Sequence, residues 1–171
     1  MNRVHFSSAK QDWETPPEVF DPLNEEFDFT LDVCATHKNR KCHNYFGKSI
    51  DGLFCGWGGK CWMNPPYGRE ISKWVLKAWQ ETQLLERTET ELVCCLLPAR
   101  TDTRWWHEYI WDEKKHRPRY GVEVRFLKGR IKFVGAPHPA PFPSCIVIFR
   151  RGGQENRRVA GTTASEPESQ R

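Results

Sequence analysis

The segment CWMNPPYG, residues 61–68, closes an apolar run with an asparagine, two prolines and an aromatic ring. Two consecutive prolines fix φ and supply no N–H, so the backbone is rigid and extended, and its carbonyls find no partner in the neighbouring prolines. One interpretation is a Pro-rich turn that follows a strand. The other is a site that accepts two hydrogen bonds from one amine while a ring stacks above it.

The second interpretation describes a specific chemistry. The lone pair of an exocyclic amine on a nucleobase is delocalised into the ring, which makes the nitrogen a poor nucleophile toward a methyl group. Two acceptors placed out of the ring plane, the Asn64 side-chain oxygen and the Pro65 carbonyl locked by Pro66, would make that nitrogen pyramidal. The same acceptors would stabilise the positive charge that forms on it. Tyr67 would stack on the base once it has left the duplex.

A basic segment, residues 114–132, indicates a polyanionic partner. It carries eight Lys or Arg side chains against Glu123 alone, a net charge of +7, and aromatic residues alternate with the basic ones. Double-stranded DNA fits this pattern better than a merely solvated surface does. The predicted DNA contacts are Lys114, Lys115, Arg117, Arg119, Arg125, Lys128, Arg130 and Lys132.

Turn signals and apolar spacing predict the elements that must hold these residues. The sequence TPPE predicts a helix start in which Thr15 is the N-cap, Pro16 the first helical residue and Glu18 the end of a capping box. Pro22 predicts a kink or a restart of that helix. Apolar runs predict strands at 29–35, 60–64, 92–99 and 143–150, and helical spacing predicts helices at 69–87 and 103–116.

The C-terminal part predicts antiparallel pairing and then a tail. Residues 122–134 alternate in polarity around Lys128-Gly129, which is a hairpin signal. Strands that alternate with helices and end in a hairpin indicate an α/β sheet with a mixed edge. Residues 1–150 are expected to form one domain. Residues 151–171 contain Val159 as their one large apolar side chain and are predicted to be a disordered tail.

Composition limits the cellular setting. The chain has 171 residues, enough to bury a core, and no run approaches the ~20 apolar residues of a membrane span. Seven Cys without a secretion signal indicate reduced thiols, so a cytoplasmic protein with no membrane partner is expected. The Cys and His residues between 34 and 61 match no zinc-ribbon or zinc-finger spacing, so no metal is expected.

The order of the motifs resembles a known family. The sequences TPPEVF, LDVCA, DGL, WMNPPYG, LLPARTDTRWW, RFLKGRIKF and PFPSCIVIF follow one another from about Trp13 to Phe149. This order resembles the small phage-type DNA adenine methyltransferases (Dam-like), which are S-adenosylmethionine-dependent amino-methyltransferases. The resemblance implies an abbreviated Rossmann-like methyltransferase sheet with antiparallel C-terminal strands and with cofactor across the ends of its strands. It implies methylation of the N6 amine of adenine in duplex DNA, in phage or prophage modification or anti-restriction.

The resemblance also assigns site residues. It makes the NPPY tetrapeptide catalytic, namely Asn64, Pro65, Pro66 and Tyr67. It places at the cofactor Thr15, Pro16, Pro17, Asp32, Cys34, Ala35 and Asp51. From the residues alone, two alternatives stay open: Asp32 could cap a helix or pair with a lysine, and Asp51-Gly52 could be a plain turn.

Two departures from the family pattern affect these assignments. The segment after the first strand has no glycine before Gly47, where most methyltransferases have a glycine-rich loop. Only 31 residues separate Asp32 from Asn64, so the cofactor pocket is expected to be abbreviated. Without room for a recognition domain, base contacts must come from loops, with Arg130 preferred. A protein glutamine methyltransferase and a DNA-binding module without catalysis are the alternatives; the basic segment opposes the first and the intact tetrapeptide the second.

Overall fold

A computed structural model describes residues 13–84 and 88–152 of the chain. Its centre is a six-stranded sheet with the order β2-β1-β3-β4-β8-β7. The strands are β1 (Leu31–Asp32), β2 (Asn44–Tyr45), β3 (Gly58–Met63), β4 (Glu89–Pro98), β7 (Val122–Phe126) and β8 (Ser144–Arg150), and β5 (Trp111–Asp112) and β6 (Arg117–Pro118) form a separate ribbon. The helices are α1 (Pro17–Phe27), α2 (Ile71–Trp79), continued by the π-helical segment Gln80–Leu84, and α3 (Arg104–Tyr109).

The sheet is mixed, and both of its faces are covered. Strands β1 to β4 pair in parallel, whereas β8 runs antiparallel to both of its neighbours, β4 and β7. Helices α2 and α3 pack on one face, and α1 packs on the other together with the segment 131–140. From Leu92 to Leu97, successive residues of β4 alternate between the two cores and are buried, as expected for a central strand. The predicted α/β class with antiparallel pairing at its C-terminal end is confirmed.

The strand predictions at 60–64, 92–99 and 143–150 are confirmed by β3, β4 and β8. The predicted strand at 29–35 is reduced to the two residues of β1. The predicted helix at 69–87 begins at Ile71 and changes to π-helical geometry at Gln80. Its predicted end at 85–87 lies outside the described residues, as do residues 153–171 of the predicted tail.

The start of α1 differs from the prediction. Pro17 is the first helical residue and Pro16 occupies the N-cap position, so neither a Thr15 cap nor a capping box forms within the described residues. The helix continues through Pro22. Proline has no N–H, so one backbone carbonyl of the helix loses its partner, and because Pro22 is exposed this carbonyl can bond water. Thr15 is instead buried, and its hydroxyl is used elsewhere.

The helix predicted at 103–116 is wrong beyond Tyr109. The chain turns there into the β5–β6 ribbon, and the Asp112 side chain accepts hydrogen bonds from the backbone N–H groups of Lys114 and Lys115 in the ribbon's turn. The Arg119 guanidinium donates to the His107 carbonyl near the helix end. These contacts satisfy backbone groups that a longer helix would have used.

The hairpin predicted around Lys128-Gly129 is also wrong. Strand β7 ends at Phe126 and pairs with β8, while residues 127–134 do not return as its partner strand. Ile131 and Phe133 are buried in the core beneath α1. Their alternation therefore reflects a segment that packs side chains against that helix, and Val134 is joined to Glu14 by an isolated bridge.

One edge of the sheet collects the ends of several strands, and we call it the carboxyl edge. Strands β1, β3 and β4 end there, and so does β7, because Phe126 pairs with Cys145 and Cys145 with Leu97 of β4. The first residue of β7 pairs with Phe149, which belongs to the opposite edge. Loops that follow these four strands therefore meet at the carboxyl edge, whereas the ribbon leads into the opposite edge, where β7 begins.

No helix among residues 13–84 and 88–152 has the length and apolarity needed to span a membrane.

Candidate active site

A cavity of about 260 Å³ opens at the carboxyl edge, and we call it the candidate pocket. Its walls come from the loop after β1, the turns that precede β3, and the segment that joins β3 to α2. Its lining residues are Trp13, Val33, Cys34, Ala35, Thr36, Asn39, Phe46, Gly47, Lys48, Asp51, Gly52, Leu53, Asn64, Pro66, Glu70 and Trp74. Ligands of α/β proteins bind in this place, beyond the carboxyl ends of the strands.

The candidate pocket contains some of the predicted site residues and not others. Five of them line it, namely Cys34, Ala35, Asp51, Asn64 and Pro66. The remaining members of the two predicted sets lie outside the lining, namely Thr15, Pro16, Pro17, Asp32, Pro65 and Tyr67. Of these, Pro17 is exposed at the start of α1, while Thr15 and Pro16 are buried.

Asp32 supports the pocket from behind its lining. The side chain is buried, and its two carboxylate oxygens accept hydrogen bonds from the backbone N–H groups of Cys34 and Lys41. Burial raises the pKa of the Asp32 carboxyl to about 6, although both backbone hydrogen bonds and the Lys41 charge act in the opposite direction. The sequence left open whether Asp32 binds the cofactor or has a structural role. These contacts fit the structural role, in which Asp32 holds both ends of the loop after β1.

Gly52 explains how a pocket forms without a glycine-rich loop after the first strand. A Cβ at this position would lie 2.3 Å from the Val33 carbonyl oxygen, so only glycine allows the two backbones to approach so closely. The Asp51 carboxylate accepts a hydrogen bond from the Leu53 N–H, and the Trp57 indole donates to the Gly52 carbonyl. Asp51-Gly52 is thus a turn and a wall of the pocket at the same time.

The Asn64 side chain is held at its amide nitrogen. Its Nδ2 donates to the Trp13 carbonyl oxygen at 2.7 Å and to the Thr15 Oγ1 at 3.1 Å. The Oδ1 oxygen accepts no hydrogen bond from residues 13–84 or 88–152, and Asn64 lines the pocket. The side chain therefore offers an acceptor whose direction is set by contacts to the segment before α1.

The Tyr67 ring is fixed at its hydroxyl end. The hydroxyl donates to the Leu96 carbonyl oxygen at 3.1 Å, and burial of this group raises the pKa of Tyr67 well above its usual range. The ring itself is half-buried and meets Phe133 and Phe142 edge-on, with centroid separations of 6.1 and 5.6 Å. These contacts leave the ring little freedom to tilt and keep part of its surface exposed in a fixed orientation.

The predicted DNA contacts fall into separate groups. Arg119 donates to the His107 carbonyl, and Arg125 forms ion pairs with Glu26 and Glu123, so these two guanidinium groups already have protein partners. Three exposed side chains lie in or beside the turn of the ribbon, which leads into the opposite edge of the sheet, namely Lys114, Lys115 and Arg117. Three others are exposed on the segment that leaves β7 at the carboxyl edge, namely Lys128, Arg130 and Lys132.

Several residues at this edge were not predicted from the sequence. Trp13, Phe46, Lys48, Glu70 and Trp74 line the candidate pocket. Exposed arginines also follow the ends of β3 and β4, namely Arg69 and Arg100. The sequence could have indicated that these two arginines lie near the site, since Arg69 comes directly after the NPPYG segment and Arg100 directly after the PA that follows the apolar run of β4.

The buried cysteines, which do not include Cys34 and Cys55, are packing residues. Burial raises the pKa of the Cys42 and Cys61 thiols to about 12, which keeps both protonated and unreactive near neutral pH. Within the described ranges 13–84 and 88–152, no three His, Cys, Asp or Glu side chains are grouped so that they could hold a metal ion.

Comparison with known proteins identifies the family. The model of the family described as DNA N-6-adenine-methyltransferase (Dam) matches residues 4–170. A DNA N-6-adenine-methyltransferase of Haemophilus phage HP1 (strain HP1c1) is 33% identical over 111 residues, which are 63% of this chain and 61% of the relative, so the chain spans about three-fifths of that relative's length. The crystal structure of the 23S rRNA methyltransferase ErmE is similar over 81% of this chain and 51% of its own, with 16% identity and a TM-score of 0.40, a likeness that supports no conclusion. On the match to the family model, the chain belongs to the Dam family of DNA N-6-adenine-methyltransferases.

Proposed function

We propose that the protein transfers a methyl group from S-adenosylmethionine to the N6 amine of adenine in double-stranded DNA. The observation that carries this proposal is the geometry of Asn64, whose amide nitrogen is bound on the protein side while its oxygen is left as an acceptor at the pocket. Family membership and the name of the phage relative support the same reaction. The reaction would take place in the cytoplasm and serve phage or prophage DNA modification or anti-restriction.

The lining of the candidate pocket suits S-adenosylmethionine. Apolar side chains such as Val33, Leu53 and Trp74 offer a surface for a flat adenine ring. The carboxylates of Asp51 and Glu70 at the same pocket suit ribose hydroxyls and cationic groups. When bound, this cofactor supplies an electrophilic methyl group on a positively charged sulfur. The volume of about 260 Å³ lies just below the ~300–1,000 Å³ usual for ligand pockets, as expected for an abbreviated pocket.

The tetrapeptide residues would activate the amine. Asn64 Oδ1 and the Pro65 carbonyl would each accept one N–H of the adenine N6 amine, so that its lone pair is no longer delocalised into the ring. Pro66 holds that carbonyl in place because a proline restricts the residue before it. Tyr67 would stack on the extruded base, which cannot react inside the duplex. Preorganised acceptors of this kind stabilise the charge that develops on the nitrogen.

The carboxyl edge also carries the charge that duplex DNA requires. Five exposed cations follow strand ends at this edge and form no ion pair with another described residue, namely Arg69, Arg100, Lys128, Arg130 and Lys132. Because these cations share an edge with Asn64, DNA bound there would bring its phosphates to them and its target base to the pocket. We propose this edge as the DNA-binding face, with the ribbon residues 114–117 outside it.

The reaction is tested with a methyl-labelled cofactor and duplex DNA. Asn64→Ala should lower kcat by about 10²–10³, the usual cost of one preorganised hydrogen bond to developing charge. It should bind the labelled cofactor as the native protein does. The exposed Asn44 of β2 offers a matched control, since Asn44→Ala removes the same side chain away from the pocket. Near-native turnover by Asn64→Ala would contradict the mechanism.

The same assay separates the alternative functions. A chain that binds no labelled cofactor would be a DNA-binding module without catalysis. Label that appears in an added protein substrate but not in duplex DNA would indicate glutamine methylation. Label in duplex DNA that is released as N6-methyladenine on hydrolysis is the expected result.

Charge reversal tests the DNA-binding face. Replacing Lys128, Arg130 and Lys132 by glutamate should weaken binding to duplex DNA and reduce the slope of log affinity against log salt by up to about one unit per lost phosphate contact. The matched control is the same triple replacement at Lys114, Lys115 and Arg117, which should leave the slope nearly unchanged. The reverse pattern would place DNA at the ribbon instead.

A further inference from the structure

The orientation of the Asn64 amide is fixed by the chemistry of its neighbours. A backbone carbonyl can only accept hydrogen bonds, so the group that faces the Trp13 oxygen at 2.7 Å must be the NH₂ of the side chain. Its carbonyl oxygen therefore points away from the Trp13 carbonyl. An asparagine amide otherwise rotates easily about χ2, which has broad and nearly two-fold preferences.

Thr15 supplies the second contact to the same nitrogen. Its Oγ1 lies 3.1 Å from Asn64 Nδ2, and the threonine side chain is only 1% exposed, so water does not readily replace it. The two N–H bonds of the amide are thereby both engaged. A single hydrogen bond would leave the plane of the amide free to swing about it, whereas two restrict both its tilt and its direction.

The segment 13–15 is itself anchored. Glu14, between the two residues that bind Asn64, forms a bridge with Val134, whose N–H donates to the Glu14 carbonyl at 3.0 Å. The Glu14 carboxylate pairs with Lys41 at 3.1 Å, and Lys41 lies on the loop that Asp32 holds. The segment that holds the partners of Asn64 is therefore itself held by the segment after β7 and by the loop after β1.

We propose that Thr15 is a positioning residue for methyl transfer, which acts by orienting the Asn64 amide and not by binding the cofactor or the base. This inference rests on the proposed function for its effect on rate, but the orientation itself is a separate claim. Loss of the Thr15 acceptor leaves Asn64 with one anchor, so its Oδ1 spends less time in the direction that the amine requires. We therefore expect a lower kcat on loss of the Thr15 acceptor, with cofactor affinity and KM for DNA unchanged.

The first test compares three variants in the methylation assay. Thr15→Val keeps the shape of the side chain but removes the acceptor, and kcat should fall about three- to tenfold, the range for one neutral hydrogen bond. Thr15→Ser keeps the hydroxyl and should restore kcat. Thr82→Val is the matched control, because the Thr82 hydroxyl is also buried and donates to the Ala78 carbonyl away from the pocket.

Three outcomes of this assay would overturn the proposal. The first is an unchanged kcat in Thr15→Val. The second is an equal fall of kcat in Thr82→Val, which would show that lost stability is the cause. The third is a change confined to KM or to cofactor affinity, which would make Thr15 a binding residue.

A second test does not depend on activity. In the native protein labelled with ¹⁵N, the side-chain NH₂ protons of Asn64 should exchange slowly with water, because both are hydrogen-bonded and one acceptor is buried. The Asn64→Ala spectrum identifies these signals by their absence. Fast exchange of either proton in the native protein would overturn the inference, even if methylation is observed. Slow exchange in a protein that methylates no DNA would support the orientation and refute the proposed function.

Discussion

Replacing Tyr67 separates the role of its ring from that of its hydroxyl. In Tyr67→Phe the ring stays between Phe133 and Phe142, and the hydrogen bond to the Leu96 carbonyl is lost. A hydrogen bond of this kind contributes about 0.5–1.5 kcal/mol, so the free energy of unfolding should fall by that amount. The stacking surface is unchanged, and kcat should therefore stay close to the native value.

Tyr67→Ala should behave differently in both measurements. Removing the ring leaves a cavity against Phe133 and Phe142, and loss of a large aromatic side chain from a packed site costs about 3–5 kcal/mol of stability, an upper limit here because the ring is half-buried. Loss of base stacking adds about 1–3 kcal/mol to the barrier, a fall in rate of about five- to 150-fold.

Urea unfolding and single-turnover methylation, measured on the same samples, provide the two free energies. Tyr120 is 69% exposed and serves as a control, since Tyr120→Phe and Tyr120→Ala should change neither quantity appreciably. If Tyr67→Phe loses as much rate as Tyr67→Ala, the hydroxyl and not the ring is what the reaction needs, and the stacking role is refuted.

Three further predictions concern Asn64, Asp32 and the C-terminal residues. Asn64→Asp should be faster than Asn64→Ala because a carboxylate still accepts, but slower than the native protein because two acceptors, the new carboxylate and the Trp13 carbonyl, then face each other. The raised pKa of Asp32, about 6 against an ordinary 3.8, means that its ionisation disfavours the fold, so its contribution to stability is lost as pH rises from about 4 through about 6. This loss is about 3 kcal/mol at 1.36 kcal/mol per pH unit, and it should disappear from the pH dependence of urea unfolding in Asp32→Asn. We also propose that residues 1–150 form one domain. The tail was predicted to start at residue 151, but the backbone N–H groups of Arg151 and Gly152 donate to carbonyls of the folded part, so the test leaves these two residues in place. A chain ended at residue 152 should keep the native Tm in calorimetry.

Local patterns were enough to predict much of the fold. An unbroken apolar run stopped by a proline identifies β4, and the apolar run at 143–150 identifies β8, because burial on both faces of a sheet leaves a continuous hydrophobic signal. The tetrapeptide is equally local, since two prolines restrict their own backbone whatever surrounds them. Its chemistry could therefore be derived from four consecutive residues.

Partners distant in sequence could not be predicted in the same way. The spacing of residues 122–134 signals a hairpin, but β7 pairs with β8, and the choice depends on which partner completes the sheet and buries Ile131 and Phe133 beneath α1. Asn64 and Thr15 are 49 residues apart, and no pattern in either segment contains their hydrogen bond. Capping preference is a local property and favoured Thr15 as a helix cap, whereas the tertiary contact with Asn64 decided where its hydroxyl points.

The positively charged residues show the same division between what the sequence predicts and what the fold decides. The net charge of +7 on residues 114–132 indicated a polyanionic partner, because the charge of a segment is a sum over its residues that does not depend on how they fold. Which of these cations can reach one ligand depends on strand direction: β7 runs parallel to β4, so Lys128 to Lys132 emerge at the edge that holds Asn64, while the ribbon before β7 belongs to the opposite edge. The sequence by itself was enough to predict the chemistry of the tetrapeptide and the sign of the partner's charge. Only the tertiary structure decided which side chains share an edge, because direction and register are set by pairings between segments that lie far apart in the chain.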